Sequence, residues 1–229
     1  MDRRQRYRGA LLGLATGDAV GTTVEFAPAG TFPPVTDMVG GGPFDLAPGQ
    51  WTDDTSMALC LAESILEAGW DPIDQLARYV SWMRDGHLSS TGQCFDIGQT
   101  VLSALGRFSR TGDPYCGSTD PNSAGNGSIM RLAPVALRYA YDRDEAIARA
   151  AESSRTTHGA ATAVDACRHL AALLVGALGG RSRTELLSPD YFTDTETLEI
   201  GAVAAGSFRT KDPPEIRGSG FVVESLEAA

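Results

Sequence analysis

No CxxC pair, no HExxH helix, no GxGxxG turn after a strand and no phosphate-loop lysine occurs in this chain, and no serine stands in a nucleophile elbow with histidine and aspartate in order. These absences remove zinc proteases, dehydrogenases, kinases and acyl-serine hydrolases. Positive charge is also short. Nineteen Lys and Arg stand against 29 Asp and Glu, for a net charge of -10 and a pI near 4.7. That balance excludes broad nucleic-acid binding by phosphate neutralisation, while leaving room for one local phosphate pocket. Nowhere do eighteen uncharged apolar residues run together, so no membrane span is expected. The basic start at Arg3-Arg4-Gln5-Arg6 precedes an apolar run too short for a signal peptide and interrupted by Asp18. Cys60, Cys94, Cys116 and Cys167 are scattered and read as reduced and structural, which fits an expected cytoplasmic setting.

Strand-like alternation is scarce as well, and helical periodicity takes its place. Apolar residues recur at three- and four-residue spacing over 5–20, 54–69, 72–84, 96–109, 129–141, 143–154 and 160–178. Asp71-Pro72 starts one helix, Asp96 is placed to cap the next, and Gly69, Gly86 and Gly112 mark C-terminal ends. With 229 residues, 42 % hydrophobic composition and a mean hydropathy of -0.12, the expectation is an all-α, single globular multi-helix domain over 1–229. After Gly218-Ser219-Gly220, the stretch Phe221–Ala229 reads as the first turns of an amphipathic helix that stops without a cap. A missing C-terminal portion is therefore expected.

The most informative stretch is Trp51-Thr52-Asp53-Asp54-Thr55-Ser56-Met57, where a Gly/Pro-rich loop gives way to an apolar helix. Acids in a first turn stabilise any helix by about 1 kcal/mol. Two consecutive carboxylates ask for more, because such groups about 4 Å apart repel by about 4 kcal/mol at an effective dielectric near 20. Carboxylate and hydroxyl oxygens suit Mg²⁺, Mn²⁺ or Ca²⁺, and no soft or imidazole cluster suits zinc. Consecutive helical side chains point about 100° apart, so an ion would sit above the helix start and draw further oxygens from elsewhere. Glu25, in a loop after Gly17-Asp18-Ala19-Val20-Gly21, is the first candidate, and Asp18 reads as a helix-end or supporting residue.

A second loop, Asn122-Ser123-Ala124-Gly125-Asn126-Gly127-Ser128, runs directly into an apolar helical pattern. It fits either a phosphate cradle or an Asn-Gly turn with Ser128 as N-cap. His158, at the mouth of the 160–178 helix, reads by itself as a surface histidine, with contact to an anionic or ribose ligand as the alternative.

In this order, Gly13 to Gly21 with Glu25-Phe26, the Thr52-Asp53-Asp54 motif, Gly125-Asn126-Gly127-Ser128-Ile129-Met130-Arg131-Leu132-Ala133-Pro134, and Thr157-His158 resemble the ADP-ribosylglycohydrolase family along essentially the whole chain. The resemblance implies an all-α fold with a binuclear Mg²⁺ or Mn²⁺ centre that binds ADP-ribose or an ADP-ribosylated protein and hydrolyses the bond to the distal ribose, with a monomer as the default. It implies Thr52, Asp53 and Asp54 as metal ligands and Glu25, Asp53 and Asp54 in catalysis. Gly125, Asn126, Gly127, Ser128, Met130 and His158 match the ligand-binding positions. The family's second metal motif, Asp-x-Asp-Thr near the C-terminus, has no match here. The alternative is thus a non-catalytic ADP-ribose binder, or a fragment that needs a complementing C-terminal segment.

Overall fold

The computed structural model describes residues 2–28 and 30–229. Among them are ten α-helices and no strand: α1 Arg3–Gly21, α2 Asp53–Glu67, α3 Pro72–Asp85, α4 Gln99–Thr111, α5 Ala133–Arg138, α6 Arg143–Arg155, α7 Ala161–Gly179, α8 Arg183–Leu186, α9 Leu198–Ala204 and α10 Val222–Ala228. Local chemistry sets many of the ends. Asp71 caps α3 by accepting from the Ile73 and Asp74 amides, with Pro72 in the first turn, and Gly86 and Gly112 close α3 and α4 in the left-handed conformation. Capping boxes start α1 (Asp2 with Gln5) and α8 (Ser182 with Glu185).

The helix α7 is the spine, packing against α1, α5, α6, α8, α9 and α10. It alone among the described residues is long and apolar enough to cross a membrane by length and composition, yet 67 % of its most apolar window is buried by neighbouring helices. The main core brings together Met57 and Leu61 of α2, Leu76, Tyr79 and Trp82 of α3, Leu105 of α4, and Cys167 and Ala171 of α7, all at most 1 % exposed. Each such large apolar side chain contributes about 1.5–3 kcal/mol by leaving water. A second cluster, Ala124, Ala160, Ala163, Ala166, Ile200 and Val222, uses alanines to bring α7 close to α9, α10 and the second glycine loop. Through Val222, α10 docks on the body.

Two expectations need correction. The helical pattern at 129–141 forms only one short helix, α5, because residues 127–131 turn instead around the buried Arg131 side chain. Asp96 does not cap α4, which begins at Gln99 with Gly98 before it. The Gly40-Gly41-Gly42 tract serves packing, since a Cβ on Gly42 would overlap the Thr22 carbonyl at the end of α1. One flank of α1 stays open: Gly9, Gly13, Gly17 and Gly21 recur every four residues with nothing within 4 Å of a Cβ built on any of them, and Leu12 is 66 % exposed.

Candidate active site

The end of α1 meets the start of α2, and one side chain organises the junction. Asp18 accepts hydrogen bonds from the Thr52 and Thr55 amides (3.0 Å each) and from both their hydroxyls (2.9 and 2.6 Å). Thr52 takes the N-cap position of α2 with extended backbone but makes no side-chain cap of its own. The cap comes from another helix, and Asp53 and Asp54 follow in the first turn, both lining the cleft. Thr22, just beyond α1, donates to Glu25 at 3.3 Å and holds that carboxylate at the same place.

Glu25, Asp53 and Asp54 are joined there by Asp96, held at a positive φ of 59°. No Lys, Arg or His pairs with any of these, nor with Asp18, among the described residues. Burial, then mutual repulsion, pushes the Asp54 and Asp96 carboxyls up to about 7. The same causes raise Asp53 well above the usual carboxylate range, and Glu25 is raised mainly by burial. Asp96 and Glu25 both line the cleft, and each is raised there by burial and by neighbouring like charge. The donors are all hard oxygens carrying unneutralised negative charge, so their chemistry fits a divalent cation. No three acidic, thiol or imidazole groups are already drawn into coordinating positions among the described residues.

The acids line one end of a cleft of about 1490 Å³. Gly125, Asn126, Gly127, Met130 and His158 line it too, and residues 214–220 border it. This last segment is pinned to the glycine loop, with the Asn126 amide donating to Gly220 O (3.0 Å), Val222 to Ala124 O (3.0 Å), and the Asn126 side chain to Ser225 Oγ (3.1 Å). Asn126 thus spends both its groups on the border. The Gly127 and Ser128 amides find no acceptor among the described residues. The Ser128 hydroxyl points inward, 3.0 Å from that of Ser154. Beneath the loop lies Arg131, fully buried, donating to Gly127 O (2.8 Å), Ser153 O (3.2 Å), Thr156 Oγ1 (3.2 Å) and Thr157 Oγ1 (2.8 Å), with its guanidinium 4.8 Å from the Tyr79 ring centroid. Among the described residues it has no carboxylate partner, so its field favours an anion over the loop. His158 is 2 % exposed, and burial, helped by Arg131, pulls it down to about 3, so the ring is neutral.

All the sequence-selected positions except Thr52 and Ser128 therefore border one cleft; Thr52 lines an adjoining cavity of about 330 Å³ with Glu25 and Asp54, while Ser128 is buried. Sequence reasoning missed Asp96, read as a cap because it precedes a helix, and Arg131, whose burial without a counter-ion leaves no local pattern. The aromatic rim also escaped it. Phe26 at φ 60° meets Phe44 edge-on, with ring centroids 6.4 Å apart, and Phe44 lies 5.3 Å from Phe95.

The ADP-ribosylglycohydrolase family model matches residues 1–229. The chain is 46 % identical over 225 residues to ADP-ribosylarginine hydrolase Tri1 of Pseudomonas putida (strain GB-1), covering 98 % of this chain and 60 % of that protein. It is 34 % identical over 184 residues to the ADP-ribosyl-[dinitrogen reductase] glycohydrolase of Rhodospirillum rubrum, covering 77 % and 59 %. A solved ADP-ribosylglycohydrolase-related protein complex superposes with a TM-score of 0.86 at 44 % identity, over 98 % of this chain and 74 % of that one. The chain spans about three-fifths the length of these curated relatives. Ordered motifs, helical architecture and full-length family match agree: the chain belongs to the ADP-ribosylglycohydrolase family.

Proposed function

We propose that this chain provides the ADP-ribose cleft and a carboxylate metal site of a hydrolase that releases ADP-ribose from modified arginine. One observation carries this reading: unneutralised carboxylates and an anion-accepting loop over a buried arginine lie at separate places in one cleft. A diphosphate would bind against the Gly125–Gly127 loop, in the same cleft as the acids. The arginine linkage is supported by the names of the relatives, and a guanidinium suits an acidic, aromatic-rimmed opening. Thr52, Asp53, Asp54 and Glu25 would hold Mg²⁺ or Mn²⁺, which would supply charge neutralisation and polarise an oxygen at the reacting centre. Asp96, pushed up to about 7 by burial and the neighbouring acids, is the group from which a proton can pass to the departing guanidine nitrogen, while an ionised carboxylate of the cleft takes one from water.

Calorimetric titration with ADP-ribose tests the cleft. Saturable binding is expected, weakened about tenfold, or about 1.4 kcal/mol, by Gly127→Ala, because a methyl there would lie 2.8 Å from His158 Cε1 and displace the ring. No binding by the folded chain overturns the reading. A second reading, an ADP-ribose binder without turnover, uses the same cleft. Metal-independent binding with no release of product favours it.

A further inference from the structure

We propose that Thr157, its hydroxyl oxygen occupied by Arg131, donates its proton to His158 Nδ1 and so fixes His158 as the neutral Nε2–H tautomer, presenting one oriented donor to an acceptor oxygen of the bound ligand. The inference rests on the cleft being the ADP-ribose site, but the tautomer itself does not. Arg131 Nη2 lies 2.8 Å from Thr157 Oγ1, and a guanidinium only donates, so the threonine oxygen is the acceptor there. Thr157 Oγ1 lies 2.8 Å from His158 Nδ1 as well. Thr157 is fully buried, and its hydroxyl has no other partner among the described residues.

Two arrangements satisfy the distances. If Nδ1 carried the proton, it would donate to Oγ1, and the hydroxyl proton would be left buried with no acceptor, which proteins avoid. If the hydroxyl donates to Nδ1, the buried hydroxyl proton has its acceptor, and the ring's own proton must reside on Nε2. That nitrogen faces the cleft: a Cβ on Gly125 would lie 3.3 Å from it and one on Gly127 3.1 Å. The His158 backbone is clamped in turn, its N–H donating to Ser154 O (2.6 Å) and its carbonyl accepting from Ser154 Oγ (2.8 Å). The nearby guanidinium opposes a second proton on the ring, consistent with its lowered basicity.

Arg131 and Thr157 are thus positioning residues, and the glycines at 125 and 127 leave room for the ring they orient. Nitrogen-15 correlated NMR of the histidine rings, recorded without ligand, reads the tautomer directly. The expected spectrum of His158 has a lone-pair-type shift at Nδ1 and a protonated-type shift at Nε2. Thr157→Val keeps the side-chain shape but removes the hydroxyl; it should mix the two tautomers and weaken ADP-ribose binding about three- to tenfold, while Thr157→Ser restores both. A proton found on Nδ1 in the unmodified chain overturns the proposal. So does a valine variant whose ring shifts and affinity match the parent's. Failure of the parent chain to bind ADP-ribose would instead overturn the functional reading of the cleft, with the ring shifts still deciding the tautomer.

Discussion

Asp54 and His158 are perturbed in opposite senses, and each leaves a separate mark on stability. The His158 ring titrates near 3 when folded and near 6.5 when unfolded. Between those values the unfolded chain binds the proton and the folded chain does not, so stability falls as pH drops from about 6.5 towards 3, by at most about 1.4 kcal/mol per pH unit. Thermal or urea unfolding of His158→Gln should lack this part of the acid slope; an unchanged slope would show the histidine is solvated. Asp54 behaves conversely. Raised to about 7, it is more readily protonated folded than unfolded, so its charge costs stability as pH rises from about 4 through 7. Asp54→Asn should therefore raise the melting temperature in chelating buffer at pH 8 and cancel any stabilisation by added Mg²⁺ or Mn²⁺. A lower melting temperature in chelator would contradict the reading of Asp54 as an unneutralised buried charge. Asp53-Asp54 was legible in sequence because adjacent carboxylates are locally anomalous. Asp96 was not, since a lone aspartate before a helix has an ordinary explanation and only the fold reveals what it faces.

The elements themselves follow from short-range rules, and most lie within a turn of where apolar spacing puts them. The exceptions are instructive. The failure at 129–141 arose from Arg131, which turns inward to bind the Gly127, Ser153 and Thr157 oxygens; periodicity counts it as a polar surface position. The short helices α8 and α9 fall below the length at which a helical period can be recognised, although Ser182 and Glu185 form a proper capping box. The start of α2 is capped by Asp18 of α1, which the sequence offered only as a helix-end or supporting residue. Asp18→Ala should cost about 1–3 kcal/mol, more than an ordinary N-cap, because it uncaps α2 and leaves two threonine hydroxyls unpaired. Urea denaturation reads the loss. A change under 0.5 kcal/mol, on the order of a neutral surface substitution, would show that the α1–α2 junction does not depend on this contact.

At the scale of the molecule, the helices form one scaffold around α7, with the cleft bordered by the end of α1, the start of α2, the glycine loop and the 214–220 segment. The all-α class was legible because apolar residues recur at helical spacing along most of the chain. The cleft was not, because its walls come from segments as far apart as Glu25 and Ser225, and no sequence pattern reports that pairing. What it did offer was the order of the motifs, and the structure brings those motifs together. The central claim is that the acids of this cleft act with a divalent cation to release ADP-ribose. The most direct test is to incubate the folded 229-residue chain with an ADP-ribosylarginine conjugate and measure free ADP-ribose in Mg²⁺, in Mn²⁺ and in chelator, beside Asp54→Asn. The account predicts release with metal, and loss of at least a hundredfold (about 2.7 kcal/mol) in chelator or in the variant; equal release in chelator, or none with either metal, would contradict it.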